Sequence, residues 1–102
     1  MKSEDGIKRF KEIQDEQFNL HKLKNHDYSA KNYVSNLNSC EAFGINPLVG
    51  IVVRLTDKLS RLASFCEQGV LKVKDEKLED TLNDIAVYAI LARIIYENRQ
   101  DR

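Results

Sequence analysis

Apolar residues recur along this chain at intervals of three and four, and no useful stretch alternates with the period of two that a strand requires. We therefore predict an all-α fold, a compact bundle of about four helices that forms a single domain of 102 residues. The first helix is predicted over residues 6–24, and a weaker second helix follows Ser29. The third and fourth helices are predicted over residues 47–67 and 75–99.

Signals for helix ends frame the last two helices. Asn46 and Pro47 are typical of an N-cap followed by the first helical residue. Gly69 is typical of the residue that ends a helix, and Asp75 is a candidate N-cap for the fourth helix. Because the connection between the third and fourth helices is short, we expect them to be antiparallel neighbours.

The second half of the fourth helix is apolar on more than one face. A helix that is apolar most of the way round is buried on both sides, yet a chain of this size buries only about 60–65% of its unfolded surface. We therefore predict that part of this helix meets a second subunit in a homo-oligomer; the alternative is that the first helix covers it. The apolar residues concerned are Ile85, Ala86, Val87, Ala89, Ile90, Leu91, Ile94 and Ile95.

Composition and charge narrow the classes of partner. Sixteen basic and sixteen acidic residues cancel, so bulk binding of nucleic acid is not expected. Cys40 and Cys66 fit no metal-ligand spacing and are interpreted as thiols in a reducing cytosol. Met1 leads directly into charged residues, and the longest apolar run is far shorter than the ~20 residues of a membrane span. We expect a soluble, cytoplasmic protein without membrane contact.

A column of acidic residues lies in the first turns of the predicted fourth helix. Glu76, Asp80 and Asp84 recur every four residues and Tyr88 continues the step, which stacks all four on one helical face. The helix dipole explains acids in the first turn but not Asp84, which lies two turns further on. Since like charges at this spacing repel each other, a cation is expected beside the column, either Mg²⁺ or basic side chains. In the Mg²⁺ interpretation Glu76, Asp80 and Asp84 are metal ligands, and Asp80 and Asp84 are also catalytic candidates.

A stripe of acidic and basic residues runs along one face of the third helix. Arg54, Asp57, Lys58 and Arg61 share one helical face. Such a stripe is usually a solvated face with ion pairs that contribute little. If it packs beside the acid column, Asp57 is a further metal ligand, and Lys58 and Arg61 either pair with the acids or contact a phosphate. The sequence leaves these alternatives open.

The segment after the first helix is a third candidate site. Lys24, Asp27 and Tyr28 lie in a polar cluster at a predicted break between helices, which is either a simple turn or a loop that closes over a ligand. In the second case Lys24 meets a phosphate and Tyr28 stacks on a base. His21 and His26 have a poor spacing for metal binding and are interpreted as surface residues. With no glycine-rich phosphate loop and no serine or cysteine nucleophile motif, metal-assisted hydrolysis is the available enzyme chemistry.

These motifs, taken together, resemble a known family. The order KNHDYS, EAFGI, VRLTDKLSRL and VKDEKLEDTLNDIAVYAIL resembles the nucleotide modification associated domain of the first type, a small phage and bacterial family, over about residues 22–92. The resemblance implies work on nucleotides, in the host cytoplasm if the protein is phage-encoded. It places family motif positions at Asp27, Tyr28, Arg54, Asp57, Lys58, Arg61, Asp75, Glu76, Asp80, Thr81, Asp84 and Tyr88.

Its acid motifs are also distantly similar to those of the MazG-like all-α nucleoside triphosphate pyrophosphohydrolases, which hold Mg²⁺ between an ExxE pair and a later acidic pair. Here Asp57 is followed by Ser60 three residues on, and the later acids are spaced by four. Three functions follow. The first is a Mg²⁺-dependent pyrophosphohydrolase-like domain acting on modified or ordinary nucleotides. The second is a non-catalytic sponge for a nucleotide or a cyclic-nucleotide immune signal, and the third is a helical interaction module.

Overall fold

The computed structural model describes residues 1–28, 38–70 and 77–100, with the side chains of 25–28 and 99–100 left undescribed. Over this part of the chain the structure is all-helical and contains no strand, which confirms the predicted fold class. The chain divides into two compact units, Met1–Ser35 and Asn36–Arg102. The elements are α1 (Ser3–Tyr28), a 3₁₀ helix (Ser39–Phe43), α2 (Pro47–Gln68) and α3 (Leu78–Gln100).

The described residues contain three α-helices rather than the predicted four. The second helix predicted after Ser29 falls mainly on residues 29–37, which lie outside the described part of the chain. The candidate cap Asp75 also lies outside it, and the described fourth-helix segment begins at Leu78. None of the described helices is both long enough and apolar enough to span a membrane.

Helix α1 is longer than the apolar pattern predicted. It begins at Ser3 and continues to Tyr28, so the break expected at Lys24 is wrong and the polar cluster forms the end of the helix. The reason is that neither glycine nor proline interrupts this segment, and its polar residues disfavour a helix only weakly. Once a helix is nucleated, each further residue adds a hydrogen bond at small cost.

His21 on α1 is half-buried rather than on the surface, where the sequence placed it. Burial is the first cause that lowers the pKa of His21 below its ordinary value, and the positive charge of Lys24 lowers it further. Because the folded chain then binds this proton less tightly than the unfolded chain, stability rises with pH between the lowered pKa of His21 and its ordinary pKa.

We expect NMR titration to give His21 a pKa below 6.5, its ordinary value. The stabilising contribution of neutral His21 is then complete above that pH and declines as the pH falls below it. Lys24→Met is expected to raise the pKa of His21 part of the way, since the effect of burial remains. Lys22→Met is the control, because Lys22 lies over the ring of Phe18, at 5.6 Å, and is not among the causes. A His21 pKa at or above the ordinary value would contradict this assignment.

The ends of α2 are confirmed where the sequence placed them. The side chain of Asn46 accepts a hydrogen bond from the backbone N–H of Leu48 at 2.9 Å, and Pro47 is the first helical residue. Gly69 follows the last helical residue with φ of 77° and donates its N–H to the carbonyl of Phe65 at 2.7 Å. A side chain at position 69 would be strained in this left-handed conformation.

The 3₁₀ helix lies against the first turns of α2. A Cβ atom added to Gly50 would lie 3.3 Å from Sγ of Cys40. The missing side chain at Gly50 therefore allows the 3₁₀ helix to approach α2 closely. Gly44, with φ of 74°, ends the 3₁₀ helix and donates its N–H to the carbonyl of Glu41 at 3.0 Å.

Helices α2 and α3 pack against each other in the antiparallel sense that the short connection predicted. Lys58 and Asp84 form an ion pair of 3.1 Å across the two helices. Counting seven residues back from Lys58 and seven forward from Asp84 reaches Ile51 and Leu91, both of which are buried. A parallel pair would instead place Ile51 level with Lys77, which is exposed.

The same register accounts for the rest of the core. Four residues beyond Ile51 and Leu91, the level is occupied by Pro47 and Ile95, which are also buried. In the other direction, three residues past Lys58 and three before Asp84, the buried Thr81 lies level with Arg61. The core of this unit is thus one narrow seam between two helices.

Asn46→Ala is expected to lower the free energy of unfolding by about 1 kcal/mol, the usual cost of losing an N-cap side chain. Urea denaturation followed by circular dichroism measures this change. Asn46→Asp retains an acceptor oxygen and is the control, for which we expect little change. Equal losses in both variants would show that the cap hydrogen bond is not the cause.

Candidate functional site

The antiparallel register gives the α2–α3 pair two different sides. Asp57 and Asn83 each precede a member of the Lys58–Asp84 ion pair by one residue, which is a rotation of about 100° on a helix. Because the two helices run in opposite directions, these rotations lead to the same side of the pair. We call this side the polar face. It carries Arg54, Asp57 and Arg61 from α2 and Asp80 and Asn83 from α3, with Lys58 and Asp84 at its base.

The Lys58–Asp84 ion pair joins the two motif-bearing helices. The side chains are 18% and 30% exposed, so water screens this pair less than a pair on an open surface. Lys58 comes from the segment RLTDKLSRL and Asp84 from the acid column. The structure thus brings together two residues that the sequence had assigned to separate helices.

Asp57 forms its ion pair with a residue of α2, its own helix, rather than with a residue of α3. Its carboxylate accepts from the guanidinium of Arg61 at 3.3 Å, and the Asp57 side chain is 61% exposed. Arg54 and Asp80 are exposed on the same face. Lys58 is therefore paired with an acid of the column, whereas Arg61 is paired with an acid of its own helix.

Thr81 is a residue whose burial the sequence did not reveal. At 2% exposure it is the buried polar residue among those that the structure describes, and it lies one turn before Asp84. A threonine in a polar motif is easily read as a surface residue. The available signal is its spacing, since Thr81, Asp84, Tyr88 and Leu91 follow the alternating intervals of three and four of a helix-packing seam.

The remaining candidates lie in different places. Tyr88 is half-buried, one turn after Asp84 on α3. Lys24 is exposed on α1, while Asp27 and Tyr28 belong to the last turn of α1, where side chains are not described. Glu76 falls outside the described residues.

The described carboxylates on the polar face are too few and too dispersed to form a metal site. In the part of the chain that the structure describes, no three His, Cys, Asp or Glu side chains are grouped closely enough to hold a metal ion. Asp57, Asp80 and Asp84 therefore do not form a Mg²⁺ site by themselves. Because Glu76 is outside the described residues, the predicted Mg²⁺ site stays a prediction.

Comparison with known proteins identifies the family. The family described as Nucleotide modification associated domain 1 matches residues 24–95, which include all of α2 and most of α3. The chain belongs to this family. In this nucleotide modification associated domain, both residues of the Lys58–Asp84 pair fall within the match, whereas residues 1–23 precede it. Neither the curated proteins nor the solved structures contain a match.

A double-mutant cycle with Lys58→Met and Asp84→Asn is expected to give a coupling free energy of about 1 kcal/mol or more, because each single change leaves a half-buried charge unpaired. Urea denaturation of the four proteins measures it. The matched cycle, Asp57→Asn with Arg61→Met, tests an exposed pair four residues apart and should give only about 0.3–0.5 kcal/mol. Equal coupling energies in the two cycles would contradict the central position of the Lys58–Asp84 pair.

Proposed function

We propose that this protein binds a nucleotide through the polar face of α2 and α3 and holds it intact. The observation that carries the proposal is the half-buried Lys58–Asp84 ion pair, which joins both motif-bearing helices of a family associated with nucleotide modification. Arg54 and Arg61 lie one turn to either side of Lys58 on the same helix. Together they line one face of α2 with three cationic groups.

Phosphate groups fit this arrangement for electrostatic reasons. A guanidinium offers two parallel donors to phosphate oxygens, and an ammonium acts as a compact point charge. The exposed Arg54 is available to an incoming anion at the surface. Lys58 and Arg61 would exchange or share their carboxylate partners with the phosphate, and Tyr88 would offer an aromatic ring one turn from Asp84.

Retention of an intact nucleotide agrees with the state of Asp57 and Asp84, two of the carboxylates on the polar face. Hydrolysis requires a group that activates water, and an Asp carboxylate does so when it is free to take a proton or to bind a metal ion. Here the Asp84 carboxylate is paired with Lys58 and that of Asp57 with Arg61. These pairs favour recognition of an anion over turnover.

Mg²⁺-dependent pyrophosphohydrolysis is the second candidate. It is favoured by Asp80 and Asp84, which lie one turn apart on α3, and by Glu76, which continues the column in the sequence. If a metal ion bound, carboxylates from this column would hold it, and the ion would supply a polarised phosphate and an activated water. Under the third candidate, a helical interaction module, the same acids and bases would only stabilise the helix pair.

One incubation, in which free nucleotide is measured at two stages, separates the three functions. The protein is mixed with nucleoside triphosphates and cyclic nucleotides, once with Mg²⁺ and once with EDTA; free nucleotide is then quantified after filtration and again after heat denaturation. Intact nucleotide that disappears on filtration and returns on heating would support retention. New monophosphate that requires Mg²⁺ would support the pyrophosphohydrolase. A panel that is unchanged in both measurements would contradict both nucleotide functions.

Arg54→Met is expected to weaken nucleotide capture about tenfold to a hundredfold, because a charge-assisted hydrogen bond contributes about 1.5–3 kcal/mol and each 1.4 kcal/mol is tenfold in affinity. Isothermal titration calorimetry with the captured nucleotide measures the change. The control is Arg93→Met, the same substitution at an exposed position of α3 away from the polar face. If both variants bind like the wild type, the polar face is not the nucleotide site.

A further inference from the structure

The side of the α2–α3 pair opposite the polar face is apolar on both helices. Leu59 and Ile85 each follow a member of the Lys58–Asp84 pair by one residue, so both are rotated by about 100° to this second side. On α2 it is formed by Val49, Val52, Thr56, Leu59 and Ala63. On α3 it is formed by Leu78, Leu82, Ile85, Ala89 and Ala92. We call these ten positions the apolar face.

Each half of the apolar face has the spacing of a helix-packing seam. The intervals alternate between three and four residues on both helices, and none of the positions is charged. This is the heptad repeat that directs knobs-into-holes packing against another helix. The inward-facing residues of α2 and α3 use one such seam for each other, and the apolar face is a second one.

The second seam is accessible. All five of its α2 residues are exposed, and Leu82 on α3 is 44% exposed. Even Thr56 presents its methyl group more readily than its hydroxyl, because the hydroxyl donates to the carbonyl of Val52 at 2.9 Å. An exposed apolar seam that spans two helices is typical of a protein–protein contact.

We propose that the apolar face binds a second copy of this chain, forming an antiparallel four-helix bundle about a two-fold axis parallel to the helices. Such an axis keeps every residue at its own level and lays α2 of one copy against α3 of the other. The level of Leu59 is already fixed by its neighbour Lys58, whose partner is Asp84. Leu82 of the second copy then lies within about one residue, or about 1.5 Å, of that level.

The same offset matches every layer of the two seams. At one end of the bundle valines meet alanines, in the middle larger residues meet each other, and at the other end an alanine meets a leucine; none of these residues is charged. The layers between the two copies are Val49 with Ala92, Val52 with Ala89, Thr56 with Ile85, Leu59 with Leu82, and Ala63 with Leu78. The register inside one copy and the register between copies are therefore compatible in one bundle.

The size of the apolar face also fits a second copy. From Val49 to Ala63 it extends about 21 Å, and two helices give it a width of about 20 Å. Its flat projection is therefore roughly 420 Å², about half of the ~800 Å² per partner of a stable interface, and the curved accessible surface of the same side chains is larger than this projection. At the border of the interface Val53 would lie near Ala86 and Ser60 near Glu79, so like charges do not oppose each other.

Sedimentation equilibrium of the full chain tests the proposal independently of nucleotide binding. The wild type is expected to sediment at twice its mass of 11.8 kDa, and Leu82→Glu to halve that value. Ile90→Glu is the matched control, since Ile90 is an apolar residue of α3 that is even more exposed than Leu82, at 57%, and that points away from the apolar face. A wild-type monomer, as expected if α1 of the same chain occupies this face, would overturn the proposal, as would identical effects of the two substitutions.

Disulfide trapping tests the arrangement even if Leu82→Glu fails to fold. Leu59→Cys and Leu82→Cys are prepared as separate proteins, each with Cys66→Ser, and are oxidised alone and after mixing. A disulfide-linked dimer that increases several-fold on mixing is expected, because each link would join α2 of one copy to α3 of the other. Trapping of Leu82→Cys alone at the same level, or no trapping in the mixture, would contradict this bundle.

Discussion

The antiparallel packing of α2 against α3 in one register is the interaction on which the rest of this structure depends. Buried apolar residues such as Ile51 and Leu91 fix which levels of the two helices meet. That register brings Lys58 to Asp84 and so creates a charged base for the polar face. The same register aligns the two apolar seams on the opposite side, so a single packing choice determines both surfaces.

The two surfaces have different physical characters. The polar face concentrates paired charges, and the Lys58–Asp84 ion pair at its base is only partly exposed to water. The apolar face gains from being covered, because burial of apolar area is favourable and no charge has to be desolvated. The helix pair thus keeps the site proposed for a small ligand and the surface proposed for a second copy on opposite sides.

Local signals in the sequence were sufficient for the ends of α2, because Asn46, Pro47 and Gly69 act on their own backbone neighbours. The end of α1 was missed because weak propensities do not decide where a nucleated helix stops. Helical spacing placed Lys58 and Asp84 each on a face, but pairing them required the register between helices, which a single sequence does not specify. The burial of Thr81 depended on the same missing register.

Helix α1 runs without interruption from Ser3 to Tyr28, whereas the family match begins at Lys24. The boundary of the family match therefore falls inside a continuous helix. Inserting or deleting one residue before Lys24 would rotate everything preceding it by about 100° and shift it by about 1.5 Å. Substitutions along this leading segment leave its angular phase intact, whereas changes in its length do not.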